Sequence, residues 1–136
     1  MSDWYMMIPL MVFTKIKSDF SQEIKDAYGM TDKNFSTVGS SDTPAVFPFV
    51  YVQTLPALER GQDMEGSTVN GALFSFQIDV YSNKTQAEAR KVMSEIARLM
   101  KEMHFEIVSM PSFQNANDVH RMTARFSRIF GADDIL

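Results

Sequence analysis

Cysteine is absent from this 136-residue chain, which excludes a disulfide framework and any thiolate metal site. Histidine is nearly absent. His104 and His120 stand sixteen positions apart, and neither has an obvious carboxylate or thiolate companion to orient and charge-match an imidazole for catalysis or zinc binding. No glycine-rich phosphate loop follows a strand, and no nucleophile elbow is present. Asp63 and Glu65 are close in sequence in a Gly-containing loop, but acid–base work needs a shaped, partly dry pocket, and nothing around them announces one. No catalytic residue, cofactor or metal is therefore expected, and the chain does not read as an enzyme.

Basic charge is also scarce. Thirteen Lys and Arg face seventeen acids, for a net charge of −4. That balance argues against a surface whose main task is to grip phosphates. Long apolar runs are missing too. Trp4 to Phe13 (WYMMIPLMVF) is ten residues long, about half of what a membrane-spanning helix requires. Ser2 and Asp3 precede it, where a signal peptide would carry positive charge. The run reads as core or interface packing, with no membrane partner. Repeats and low-complexity tracts are absent, and 136 residues fit one domain, 1–136.

What is present is patterning. Phe13, Ile16, Phe20, Ile24 and Tyr28 recur at steps of three and four, which predicts a helix over Leu10–Tyr28 closed by Gly29 in a left-handed cap. A short β-prone piece lies at Asn34–Val38. Val46–Thr54 (VFPFVYVQT) reads as a strand with an edge or bulge at Pro48. Leu55–Gly71 reads as a long connecting loop. In Ala72–Tyr81, Phe74, Phe76, Ile78 and Val80 alternate with Ser75, Gln77 and Asp79, the period of a half-buried strand. Asn83 with Gln86 reads as a capping box for a helix over Lys84–Met103. Its apolar stripe is Ala89, Val92, Met93, Ile96, Leu99, Met100 and Met103, and its charged residues, Glu88 and Glu95 among them, are expected in solvent. Phe105–Met110 reads as a strand stopped by Pro111, Gln114–Asp118 as a turn, and Val119–Phe130 as a closing strand. The expected class is α+β, a mainly antiparallel sheet with two helices packed on one face.

Phe74 and Phe76 also have the spacing of stacking aromatics on nucleic-acid-binding sheets. Ile78 and Val80 continue the same face, which favours core. Eleven methionines are many for this length. Methionine packs adaptably, and Met6, Met7 and Met11, near the terminus, are candidates for a subunit contact.

Four segments carry a resemblance. Pro44–Gln53 (PAVFPFVYVQ), Glu59–Gly66 (ERGQDMEG), Phe76–Asn83 (FQIDVYSN) and Arg125–Asp134 (RFSRIFGADD), in this order, resemble the tail-terminator or tail-completion proteins of long-tailed bacteriophages. The helix–strands–helix–strands succession is similar over most of the chain; Met1–Phe13 has no counterpart. The resemblance implies a virion protein assembled in the host cytoplasm. It also implies a homo-oligomeric ring of sixfold symmetry that caps the tail tube protein, stops its growth and docks the head–tail connector protein. Genomic DNA would then pass through the lumen without specific binding. Another neck, head-closure or tube component, or a nucleic-acid-binding module, are the alternative readings. Arg60, Asp63 and Glu65 of the long loop, with Arg121 and Arg125 of the last strand, are the interface candidates. Arg121 and Arg125 share a strand face and are expected to pair with acids of the same or a neighbouring subunit.

Overall fold

The computed structural model describes residues 7–37, 46–56, 58–62, 69–113 and 119–131. Its elements run α1 (Ile8–Asp19), α2 (Gln22–Tyr28), β1 (Phe35–Ser36), β2 (Phe49–Thr54), β3 (Leu58–Gln62), β4 (Val69–Ser82), α3 (Gln86–Glu102), β5 (Glu106–Phe113) and β6 (His120–Gly131). The class is α+β. One six-stranded sheet has the order β1-β2-β4-β6-β5, with β3 also on β4. Every pairing is antiparallel except β1 with β2.

The sheet is amphipathic by alternation. Phe74, Phe76, Ile78 and Val80 of β4 and Met122, Ala124, Phe126 and Phe130 of β6 are buried against the helices. The α3 stripe, Ala89 to Met103, is buried over them as its spacing predicts. Phe74, Phe130, Phe105 and Phe76 form a chain of edge-to-face rings with centroids 5.6–5.8 Å apart, a favoured aromatic geometry. Phe74 and Phe76 are thus core, not a stacking platform. α1 adds Ile8, Val12 and Ile16 to the same core.

Several boundaries differ from the sequence reading. The predicted first helix is two helices, so the fold has three helices rather than two. Phe20 turns to extended backbone, and the Ser21 side chain accepts from the Ile24 amide to cap α2. The local N-cap and the burial of Phe20 edge-on against Phe35, 5.3 Å between centroids, outweigh a continuous stripe. Gly29, at φ +66°, ends α2 in the left-handed cap expected of it. α3 is capped by Thr85, whose hydroxyl accepts from the Glu88 amide, not by Asn83. Glu88 and Glu95 are buried rather than solvated. β1 is shorter than the expected piece, and β2 begins after Pro48, so that proline needs no place in the ladder.

Among its described residues, the expected loop Leu55–Gly71 is mostly strand, 58–62 in β3 and 69–71 in β4. β3 continues the line of β2 along β4, Leu58 opposite Leu73 and Gln62 opposite Val69. Between the Thr54–Phe76 and Leu58–Leu73 pairs the β2–β3 side advances four residues against three on β4. That is one extra residue on the β2–β3 side, in the connection that contains Pro56, which has no N–H to give. β5 also runs through Pro111 instead of stopping at it. Its ladder with β6 shifts register between Ile107 and Ser109 and again between Ser109 and Ser112, which absorbs the proline. The predicted turn Gln114–Asp118 and the terminal segments 1–6 and 132–136 lie outside the described residues.

Candidate functional site

The face of the sheet turned away from the helices holds the polar half of the alternation. Cross-strand register sets Tyr81 opposite Arg121, Asp79 opposite Thr123, and Gln77 opposite Arg125. On the other side of β4, Tyr51 stands opposite Asp79 and Phe49 opposite Tyr81. Asp79 is the centre of this group, only 1% exposed although it lies on the outward face. Its carboxylate accepts from the Thr123 hydroxyl at 2.6 Å and from the Arg121 guanidinium at 3.2 Å. A buried carboxylate is tolerated only when paired and hydrogen-bonded in this way. The Arg121 guanidinium also lies 5.7 Å from the Tyr81 ring centre. Two buried nitrogens here, Nε of Arg121 and Nδ1 of His120, have no hydrogen-bond partner.

The sequence-based candidates separate on this frame. Arg121 pairs with an acid of its own chain, Asp79, as expected. Arg125 is exposed and donates to the Gln77 side-chain carbonyl at 3.0 Å, so its partner within the chain is an amide rather than an acid. Arg60 lies on β3 opposite Gly71, on a strand and not in the loop assigned to it. Asp63 and Glu65 lie outside the described residues. The histidines stay apart: His120 starts β6, while His104 follows α3 and neighbours Ser127 and Ile129 at the opposite end of β6. Among the described residues no group of three or more His, Asp or Glu side chains could hold a metal ion. No helix there is long and apolar enough to cross a membrane.

Sequence reasoning missed two features. The first is a polar latch between the helices. Glu95 of α3 accepts the Ser21 backbone N–H at 2.8 Å and two N–H groups of Arg98 at 2.6 and 2.7 Å. The Arg98 hydrogen bonds hold the Glu95 carboxyl below its ordinary value, against the opposing push of burial and with help from the Ser21 amide. A charged residue on an amphipathic helix looks solvated until the helix break that seats against it is known.

The second is the distribution of exposed apolar side chains. Met7, Leu10 and Met11 are 52%, 57% and 43% exposed on the outer side of α1, and Val108 and Ile129 are 63% and 56% exposed on β5 and β6. Met7 and Met11 are therefore not part of the core; Met6 lies outside the described residues. An open cleft of about 320 Å³ adjoins Ile129, lined by Leu73, His104, Glu106, Ser127 and Arg128. His104 there has φ +65°, a left-handed position that glycine usually takes after a helix.

No family model and no curated protein matches the chain. Among solved structures, a chain from the "Virion of native gene transfer agent (GTA) particle" is similar over 85% of this chain and 88% of that chain, at 16% identity and a TM-score of 0.46. A likeness that distant carries no function across.

Proposed function

We propose that this chain is a structural protein of a phage virion, a tail terminator that forms a ring at the head–tail junction. The ring would cap the tail tube, end its growth and present the docking face for the head connector. One observation carries the reading. The described parts of the four segments that resemble tail terminators lie side by side in one sheet. Phe49–Gln53 is on β2, Glu59–Gln62 on β3, Phe76–Ser82 on β4 and Arg125–Gly131 on β6. β4 touches each of the other three strands. A resemblance scattered over unrelated surface turns would have had no such common frame.

The polar face suits a channel through which DNA slides. Among its described side chains, Arg121 is paired with Asp79 and Arg125 is held by Gln77, so at least one of the two cations is neutralised within the chain and less available to phosphate. The decisive experiment mixes purified protein with tail tubes and images the products. Rings seated at one end of the tubes, with tube growth stopped, are the expected result. Protein incorporated along the tube would instead make it a tube component. Protein that binds connectors but never tube ends would make it another neck protein.

A further inference from the structure

In an unbroken helix the Ser21 N–H would donate to the Lys17 carbonyl, four residues back. At the break between α1 and α2, both groups are taken by charged side chains instead. The Ser21 N–H donates to the Glu95 carboxylate at 2.8 Å, and the Lys17 carbonyl accepts from the Lys25 ammonium at 2.8 Å. The sequence itself does not forbid a helix there. Residues 10–28 include no glycine and no proline, and their apolar stripe continues through the break. α2 is also lightly held. None of its seven residues is buried, and an open cleft of about 300 Å³ lies between it and α3, lined by Ser21, Ile24, Tyr28, Lys91 and Glu95 among others. Its far end is a second joint, Gly29 at φ +66°.

We propose that α1 and α2 are two halves of one helix, held bent by Glu95 and Lys25, and that α2 swings off α3 when the Ser21 N–H and the Lys17 carbonyl close on each other. Straightening carries Tyr28 about 12 Å beyond Phe20. Phe35 packs on Phe20, and the chain from Tyr28 to Phe35 reaches about 23 Å when extended, so β1 can keep its place on β2. The swing gives up the burial of Met30 and the Asn34 hydrogen bond to the Pro48 carbonyl, which makes the bent form the resting one. It uncovers Lys91 and Glu95 on α3 and turns Ile24 and Tyr28 away from them. A neighbouring protein that binds this surface, or that draws Glu95 or Lys25 to itself, tips the balance to the straight form. The device is independent of the ring reading.

The chain has no cysteine, so Asp26→Cys with Ser94→Cys places one spin label at an exposed position on each of α2 and α3. In the otherwise unchanged protein the labels should show one short separation. Glu95→Met with Lys25→Met removes both intercepting groups. A second population, longer by about 10 Å, should then rise at least tenfold, the scale of a lost charge-assisted hydrogen bond. Helical circular dichroism should rise with it. Adding Ser21→Pro should abolish the long population, because proline has no N–H to give to Lys17. Proline fits the bent form: Ser21 has φ −53°, and Phe20 before it is extended. Lys25→Met alone leaves Glu95 and Arg98 together and should show the long population in smaller measure. A single short separation in both variants, a long population that survives Ser21→Pro, or helical signal that falls as the long population appears would each overturn the hinge. All three outcomes leave the ring reading standing.

Discussion

The two faces of β6 put arginine to different uses on one backbone. Towards the helices, Met122, Ala124, Phe126 and Phe130 are buried, and the single cation among them, Arg128, donates to the Met103 carbonyl at 2.7 Å. Its guanidinium lies 4.2 Å from the Phe130 ring centre. Met103 closes α3, and the end of a helix carries partial negative charge on its last carbonyls. Arg128 therefore serves as a helix terminator within the core layer. On the outward face, Arg121 and Arg125 answer side chains of β4. Three arginines within eight residues look like a basic patch in the sequence. Strand alternation divides them, and each has an acceptor in its own chain. The lesson is that a cation count says little about nucleic-acid binding until the partners are known.

The comparison breaks first, and most strongly, in the core. Phe76→Ala should destabilise the protein by about 3–5 kcal/mol, because it opens a cavity under α3 where Phe105 packs edge-on. Chemical denaturation measures it. A loss under 1 kcal/mol would mean that this face is not the one the fold depends on.

The next effect belongs to the outward face. Arg121→Met leaves the buried Asp79 carboxylate with Thr123 as its remaining partner, a cost of about 1–3 kcal/mol. Asp79→Asn keeps a polar group there and frees an arginine that is already one-third exposed, so it should cost less. Equal losses would show that the pair is held in solvent and not by burial.

Much of this division was legible in the sequence. The alternation in Phe74–Val80, the α3 stripe and Gly29 follow from periodicity and local backbone preference alone. The break at Phe20 was not, because Ser21 fits a helix interior and a cap alike, and Glu95, the group that receives its amide, is 74 residues away. The β3 arm was hidden by glycines and charges that read as loop; pairing with β4 overrides those weak preferences. Of the candidate interface residues, Arg121 and Arg125 could be set on one face. Their acceptors, Asp79 and Gln77, could not be named, because register between distant strands is not written in either strand alone. The exposed stripe of α1 was visible only as surplus methionine.

A smaller effect tests the latch that holds α2 to α3. The Glu95 carboxyl titrates lower in the folded protein than its ordinary value of 4.5. A group depressed in this way stabilises the fold above that value and loses its contribution as pH falls below it. Melting temperature should therefore drop on acidification below about 4.5, and Glu95→Gln should flatten that drop while costing about 1 kcal/mol at neutral pH. A variant with an unchanged acid profile would place the acid sensitivity in other carboxylates.

The smallest effect on stability is expected at Arg125, and it bears most directly on function. The residue is exposed, and its hydrogen bond to Gln77 at 3.0 Å is neutral on the acceptor side. Exposed contacts of this kind contribute about 0–1 kcal/mol, so Arg125→Glu should melt close to the wild type. Its effect on assembly should be larger, because a ring repeats every contact and a reversed charge repeats with it. On DNA the two readings of this face part company. A channel lining should hold duplex DNA weakly in the wild type at physiological salt, and the substitution should change that little. A nucleic-acid-binding surface should hold it tightly, with an affinity that falls steeply as salt rises through counterion release. Titration of labelled duplex at two salt concentrations, beside the oligomer size of both proteins, separates them. Tight, salt-sensitive binding lost in Arg125→Glu with the oligomer intact would sink the channel reading and make this face a nucleic-acid site.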